Sequence, residues 1–248
     1  QAKAEEDEGE YYKEYGEAEI FFRDKYILKD CWVNETVFYG SKSGTMTFDP
    51  VNKMIIFDNF QDEYNPPEEQ EYKVFLQLEF ANSDIDSFTI QLKGENKVDS
   101  SVRNLPTIAS NWCSVTIQGP GSLEMNSGIH NSSFKHLKIL NCELDITTKC
   151  VGLVAPYLEV SNSDIRILRQ HTNYENEMMQ WALDVTTLTV DNVTMEIQTE
   201  GEGYNNAWLT RNMLNGIEDK IERPVDTMFV RKRGEICVDE NGGLLDVY

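Results

Sequence analysis

The sequence predicts an all-β protein in which one chain winds into a parallel β-solenoid of about five coils. Three observations lead to this fold class. Short stretches of alternating apolar residues recur along the chain, starting at residues 87, 114, 136, 157 and 187. The alternation has the period of two that is expected of strands with one buried face. Turn-forming Gly, Asn, Ser or Asp residues stand near the middle of each stretch.

Each stretch predicts two short strands of one repeat. The first strand opens with an apolar pair: Phe88/Ile90, Val115/Ile117, Leu137/Ile139, Leu158/Val160 and Leu188/Val190. The last four stretches close with a second pair: Leu123/Met125, Leu144/Ile146, Ile165/Ile167 and Met195/Ile197. The first stretch closes less regularly, around Val98. The segment SVTIQGPGSLEM (114–125) is therefore predicted as one side of a coil with a corner at Gly-Pro-Gly, and not as an ordinary hairpin.

A third apolar patch completes each repeat, at 107–110, 128–131, 152–155 and 181–185. Such short strands gain stability by stacking, because successive coils pair their backbones about 4.8 Å apart. A leucine-rich repeat is the alternative, since FKHLKILNCEL (134–144) fits that template. Its neighbours fit less well, and the β-branched second strands favour the β-helix.

Both ends of such a stack need caps, since open sheet edges invite pairing with other chains. Upstream, GTMTFDPVNKMIIFDNF (44–60) predicts a hairpin or first rung. Downstream, Leu209, Met213, Ile217 and Ile221 stand at steps of four, which predicts a short amphipathic helix within 205–223. Alternating strands and turns then predict a β-ribbon.

These patterns divide the chain into three parts. We expect an acidic flexible leader over 1–19, the β-helix with its N-terminal hairpin cap over 20–204, and a C-terminal helix plus β-hairpin cap over 205–248. The alternative is that 205–248 forms a separate small module.

The formal charge of −21, from 43 acidic and 22 basic side chains, limits the partners of the protein. Such a surface repels phosphates and anionic lipids, so we expect no nucleic-acid partner. No apolar run approaches the ~18 residues that cross a bilayer, so we expect no membrane insertion of the mature chain. The chain starts at Gln1 rather than Met. We therefore expect a removed secretory or lipoprotein leader and an extracellular or cell-surface location, compatible with a lipid anchor.

The five cysteines are odd in number and form no C-x-x-C motif. We expect small buried hydrophobes, with a Cys142–Cys150 disulfide as the alternative. The three histidines, His130, His136 and His171, stand at no ligand-like spacing, so no metal or cofactor is expected.

The order of GTMTFDPVNKMIIFDN, TIQLKGENKV and IASNWCSVTIQGPGSLEM resembles a family of bacterial secreted proteins. These are the "carbohydrate-binding domain-containing" β-helix proteins of Bacteroidetes and Firmicutes. In that family a G-T-V-x-Y-D hairpin precedes L-x-G-x-N-x-I and L-T-I-x-G-x-G-x-L motifs. The resemblance covers 44–125 and departs from the family at Phe48, where the family has Tyr, and in the long acidic N terminus. It implies an exported, right-handed, single-stranded β-helix, and it supplies no catalytic residues.

Some β-helices are polysaccharide lyases or glycoside hydrolases, so a polysaccharide-active enzyme is an alternative function. Hydrolases of the pectinase type are expected to carry N-T-D, Asp-Asp, G-H-G and R-I-K motifs, and none of these occurs in the sequence. No G-x-S-x-G elbow or phosphate-binding loop occurs either. We therefore predict no catalytic residues and a non-enzymatic protein.

Carbohydrate binding is the leading prediction, because sugars dock on exposed aromatic faces beside polar groups. Trp112 precedes a first strand, Tyr157 begins one, and Trp181 lies at the edge of a third strand. These three residues are the predicted platform; packing in the core or in loops is the alternative. The predicted function is an exported surface protein that binds a polysaccharide or a surface protein. A purely structural surface spacer is the further alternative.

Overall fold

The structure is a computed structural model that describes residues 9–67, 74–102, 105–131, 135–149, 152–170, 183–199, 207–209, 227–231 and 235–237. Within these ranges the chain forms one large, mostly parallel sheet and a single-turn 3₁₀ helix, Lys13–Tyr15. The predicted all-β class is confirmed. None of the described helical residues belongs to a helix long and apolar enough to cross a membrane.

The described strands follow the chain as β1 (Glu10–Tyr11), β2 (Glu19–Phe22), β3 (Lys25–Lys29), β4 (Trp32–Val33), β5 (Val37–Tyr39), β6 (Ser43–Asp49), β7 (Met54–Tyr64), β8 (Leu76–Glu79), β9 (Ser87–Ser100), β10 (Ile108–Asn111), β11 (Ser114–Gln118), β12 (Gly121–Met125), β13 (Ile129–Asn131), β14 (His136–Leu140), β15 (Glu143–Thr148), β16 (Leu153–Arg169), β17 (Leu183–Thr199), β18 (Ala207–Leu209), β19 (Thr227–Arg231) and β20 (Glu235–Cys237). The longest of them, β9, β16 and β17, each supply more than one strand of the repeats.

The first strands of successive repeats form a continuous parallel ladder. It runs from β7 to β9, β11, β14, β16 and β17. The register places five buried apolar residues beside one another on successive repeats: Phe88, Val115, Leu137, Leu158 and Leu188. The predicted column is therefore confirmed.

The second and third strands form two further parallel ladders. The second carries the buried residues Leu123, Leu144, Ile165 and Met195. The third carries Ile108, Ile129, Leu153 and Leu183. Alternate residues of each strand point into one hydrophobic core, which is why the period-two pattern predicted the register.

The irregular position in the second ladder is Asn96, which lies beside Leu123 and is almost fully buried. Its side-chain Oδ1 accepts a hydrogen bond from the Phe60 backbone N–H at 2.8 Å, and its Nδ2 donates to the Ser122 carbonyl at 3.0 Å. A buried amide with partners on both neighbouring repeats costs little and fixes their alignment.

The segment 114–125 forms two sides of one repeat, as predicted. Strand β11 pairs with β9 and β14, whereas β12 pairs with β9 and β15. The leucine-rich-repeat alternative is wrong, because strand β15 follows directly where that template requires a helix.

The N-terminal cap is both a hairpin and a first rung. Strand β6 pairs antiparallel with β7, and β7 pairs in parallel with β9. Strand β2 covers the edge of β8 in the third ladder by antiparallel pairing. Antiparallel strands therefore close these parallel edges.

The flexible leader predicted over 1–19 is wrong for residues 9–19. Residues 9–19 are part of the fold: Tyr15 and Ala18 are fully buried, and the Tyr15 hydroxyl donates to the Pro50 carbonyl at 2.8 Å. This contact with the core could not be predicted from the acidic composition of the segment, because a single buried tyrosine gives no periodic pattern. Residues 1–8 lie outside the described residues.

The prediction of a C-terminal helix is wrong for the three residues of this segment that the structure describes. Ala207–Leu209 forms strand β18, which runs parallel to the third-strand part of β17. The rest of the predicted helix, to residue 223, lies outside the described residues. The predicted β-ribbon is present in part: β19 pairs antiparallel with β20, and β19 also pairs antiparallel with β17.

Candidate functional site

Trp112 lies at the corner where the chain passes from the third strand β10 into the first strand β11. Its side chain is 57% exposed, and its backbone φ is +65°. The next residue, Cys113, is fully buried and begins the return to the core. A left-handed conformation costs a non-glycine residue about 1–2 kcal/mol. The corner therefore holds a large indole in solvent at an energetic cost.

Other corners of the repeats use asparagine in the same conformation. Asn141, Asn162 and Asn192 have φ values of +54°, +47° and +53°. Asparagine tolerates this region because its short polar side chain can bond to the nearby backbone. Asn192 Nδ2 also donates to Asn162 Oδ1 on the preceding repeat at 2.8 Å. Among the described residues with positive φ, Trp112 is the only aromatic one.

Tyr157 begins the first-strand part of β16 and lies directly beside His136 of the preceding repeat. The two rings stack with centroids 5.0 Å apart and planes 23° apart. Tyr157 is 37% exposed, and His136 is exposed as well. No binding role was predicted for His136. Aligning the repeats could have identified this contact, because His136 begins HLKIL and Tyr157 begins YLEVS at equivalent positions.

Trp112, His136 and Tyr157 occupy three successive repeats along one side of the protein; we call them the aromatic edge. The register Ser114–His136–Tyr157 defines their order, and Trp112 lies two residues before Ser114. At about 4.8 Å per repeat, the edge extends for roughly 10 Å along the stack. Two of the predicted platform residues, Trp112 and Tyr157, are thus exposed near the starts of first strands two repeats apart. Trp181 lies outside the described residues.

Two ion pairs lie near the aromatic edge. Lys135 Nζ lies 3.4 Å from Asp86 Oδ1, and Lys138 Nζ lies 2.8 Å from Glu159 Oε2. Each pair joins one positive and one negative side chain, so these groups add no net charge beside the aromatic rings. Such surroundings suit a polar, uncharged ligand.

A second feature is a groove of about 940 Å³ at the corner between the first and second strands. Glu95, Glu143 and Asp164 line it on different repeats, together with the corner asparagines. Glu143 and Asp164 are direct neighbours in register. None of these three carboxylates forms an ion pair with another described residue, whereas the adjacent Asp145 pairs with Arg166 at 3.6 Å.

The described residues contain no group of three or more His, Cys, Asp or Glu side chains arranged to hold a metal ion. The groove can offer hydrogen-bond acceptors and negative charge to a polar ligand.

The described cysteine side chains are buried. Cys31, Cys113 and Cys142 are free thiols in the protein interior. Burial raises the pKa of Cys113 to about 12 and that of Cys142 to about 11. A thiol that stays protonated is a poor nucleophile. The expectation of small buried hydrophobes is confirmed for these three residues, and Cys150 lies outside the described residues.

Comparisons with known proteins find no relative of this chain. No protein-family model matches the chain, and neither a curated protein nor a solved structure matches it. The function is therefore inferred from the residues of this chain.

Proposed function

We propose that the protein is an exported, right-handed parallel β-helix that binds an extracellular glycan through the aromatic edge. The three parallel ladders, with equivalent residues in register from repeat to repeat, support the β-helix. Crossover connections between parallel strands are right-handed in almost all proteins, which supports the handedness. The resemblance of 44–125 to secreted β-helix proteins supports export.

The observation that carries the binding proposal is the conformation of Trp112. The core does not require an indole at this position, because the ring is more than half exposed. The corner does not favour it either, because its backbone conformation suits asparagine or glycine. Costly local conformations that the fold does not need are found preferentially at binding sites.

A glycan array with the wild-type protein and Trp112→Ala tests this proposal. We expect wild-type binding to one class of plant, host or microbial glycan, and a loss of roughly tenfold or more for the variant, as for an aromatic anchor. Trp32→Ala is the matched control, because Trp32 is 47% exposed but lies on the N-terminal hairpin. Absence of binding across the array, or equal losses for both variants, would contradict the proposal.

A polysaccharide-active enzyme is the second candidate, and the groove is the observation that favours it. Glu143 and Asp164 place two carboxylates on adjacent repeats, and paired carboxylates are the groups that glycosidases use. Incubation with polysaccharides, followed by assays for reducing ends and unsaturated products, tests this candidate. Activity that Glu143→Gln or Asp164→Asn abolishes would establish it. If neither binding nor turnover occurs, the spacer role gains support.

A further inference from the structure

We propose that the aromatic edge takes an uncharged glycan, with one sugar ring stacked on the open face of His136 and flanked by the indole of Trp112. Tyr157 is then a positioning residue that holds the His136 ring. This inference rests on the proposed glycan-binding function and specifies the ligand class and the contact residues.

The column of residues at the start of the first strands supplies the first argument. It runs Ser87, Ser114, His136 and Tyr157 on successive repeats. Tyr157 covers one face of the His136 imidazole. The opposite face is turned toward Ser114, whose short side chain cannot cover it, and no other described ring stacks on it. The two serines therefore place only short side chains below an exposed aromatic face, and the Lys135–Asp86 ion pair passes beside them. We call this place the gap.

Trp112 is on the same repeat as Ser114, two residues before it, and is exposed. The indole and the imidazole therefore belong to neighbouring repeats about 4.8 Å apart along the stack. This spacing is too small for a sugar to fit between two aromatic faces. A sugar ring stacked on the imidazole instead lies at the level of Ser114, where the indole of Trp112 can contact its edge through C–H groups.

Polar groups at the gap match the hydroxyl groups of a sugar. The Ser114 hydroxyl oxygen accepts a hydrogen bond from the His136 backbone N–H at 3.3 Å, so its own proton can be donated to a ligand. Asp86 is exposed beside it, and its backbone carbonyl accepts a hydrogen bond from the Ser114 N–H at 2.9 Å. The Asp86 carboxylate can accept a hydrogen bond from a sugar hydroxyl, and the partner Lys135 can donate one.

Charge argues against an acidic ligand. The lysines beside the aromatic edge are already paired with Asp86 and Glu159. The chain as a whole carries a formal charge of −21, which repels polyuronates and sulfated glycans. The ligand class that remains is a neutral glycan, recognised by stacking and hydrogen bonds.

Isothermal titration calorimetry with two sets of oligosaccharides tests this inference. The neutral set consists of the hexasaccharides of cellulose, mannan, xylan and starch, and the acidic set consists of oligogalacturonates. We expect binding from the neutral set with an affinity that changes less than roughly twofold between 50 and 500 mM NaCl, since no ion pair forms with the ligand. Binding of only the acidic set, or affinity that falls steeply with salt, would overturn the ligand class while leaving glycan binding intact.

Variants of His136 and Tyr157 test which of the two residues contacts the sugar. We expect His136→Ala to weaken neutral-glycan binding roughly tenfold and Tyr157→Ala to weaken it less, because only the histidine touches the sugar. Tyr157→Phe should keep wild-type affinity, since it keeps the stacked ring. A loss of affinity in Tyr157→Phe would instead indicate that the tyrosine hydroxyl contacts the sugar directly. Thr116→Ala, on the same face of β11, is the control.

Thermal unfolding of each variant separates lost contacts from lost folding. Unchanged affinity of a folded His136→Ala variant, together with loss of binding by Trp112→Ala, would overturn the role of His136. If no glycan of either set binds, the proposed function itself fails and this inference fails with it.

Discussion

The ion pair between Arg23 and Asp62 fastens the N-terminal hairpins to the first repeat. Arg23 lies at the turn after β2, and Asp62 lies in β7. Arg23 Nε donates to Asp62 Oδ2 at 3.0 Å and Nη2 donates to Oδ1 at 2.7 Å, while the Ser41 backbone N–H donates to the same Oδ1 at 2.8 Å. The Asp62 side chain is only 1% exposed, so the carboxylate depends on these donors.

Arg23→Ala removes both side-chain donors and leaves the carboxylate buried with the Ser41 N–H. Removing one partner of a buried ion pair costs about 3–5 kcal/mol. The Arg23 side chain is 26% exposed, so water can reach the carboxylate after truncation, and we expect the lower end of this range. About 3 kcal/mol corresponds to a fall in Tm of roughly 6–12 °C for a chain of this size.

Differential scanning calorimetry with a matched control measures this effect. Lys42→Ala removes a neighbouring ion pair, Lys42 to Glu63 at 3.1 Å, in which both side chains are more than half exposed. Exposed pairs contribute about 0–1 kcal/mol, so the control should change Tm by less than about 4 °C. Equal shifts for Arg23→Ala and Lys42→Ala would refute the reasoning that burial makes the first pair important.

Three further changes probe the thiols, the corners and the core. Because the folded pKa of Cys113 is raised from 9.0 to about 12, the folded protein keeps a proton that the unfolded chain releases above pH 9. The free energy of unfolding should fall as pH rises from 9 to 12, and urea titrations of Cys113→Ala should show a shallower fall. Asn162→Val should be less stable than Asn162→Gly by about 1–2 kcal/mol in urea unfolding, since both lose the bond from Asn192 and only valine resists the left-handed backbone. Ile139→Ala, in a fully buried position, should cost about 2–5 kcal/mol by the same measurement, while Lys138→Ala on the outer face should cost less than about 1 kcal/mol.

The register of the repeats was readable from the sequence because inward positions carry a simple chemical constraint. Val115 and Leu137 are adjacent on successive repeats, and a one-residue slip of either strand would turn that strand's side chain to solvent. The outer face carries no such constraint. The stacked pair of His136 and Tyr157 is visible only after the register is known, since nothing in the local sequence links residues 21 positions apart.

The C-terminal prediction failed for a different physical reason. Leu209 belongs to a pattern with steps of four, which fits a helix in isolation. In the fold, the third-strand part of β17 lies at an edge of the sheet, and Ala207–Leu209 pairs with it. Satisfying backbone hydrogen bonds at an existing sheet edge outweighs the helical preference of three residues, and an edge of this kind cannot be read from the local pattern.

Replacing Trp112 by asparagine separates the needs of the fold from those of binding. The asparagine corners at Asn141 and Asn162 show which residue type this backbone conformation accepts. Trp112→Asn relieves the left-handed strain of a bulky residue but loses the packing of a partly buried ring, so we expect stability to be unchanged or raised by up to about 1 kcal/mol. Glycan affinity should fall as it does for Trp112→Ala, which array binding and urea unfolding measure in parallel. A loss of stability above about 1 kcal/mol would show that the indole holds the corner together, and its exposure would then be a consequence of folding rather than a sign of binding.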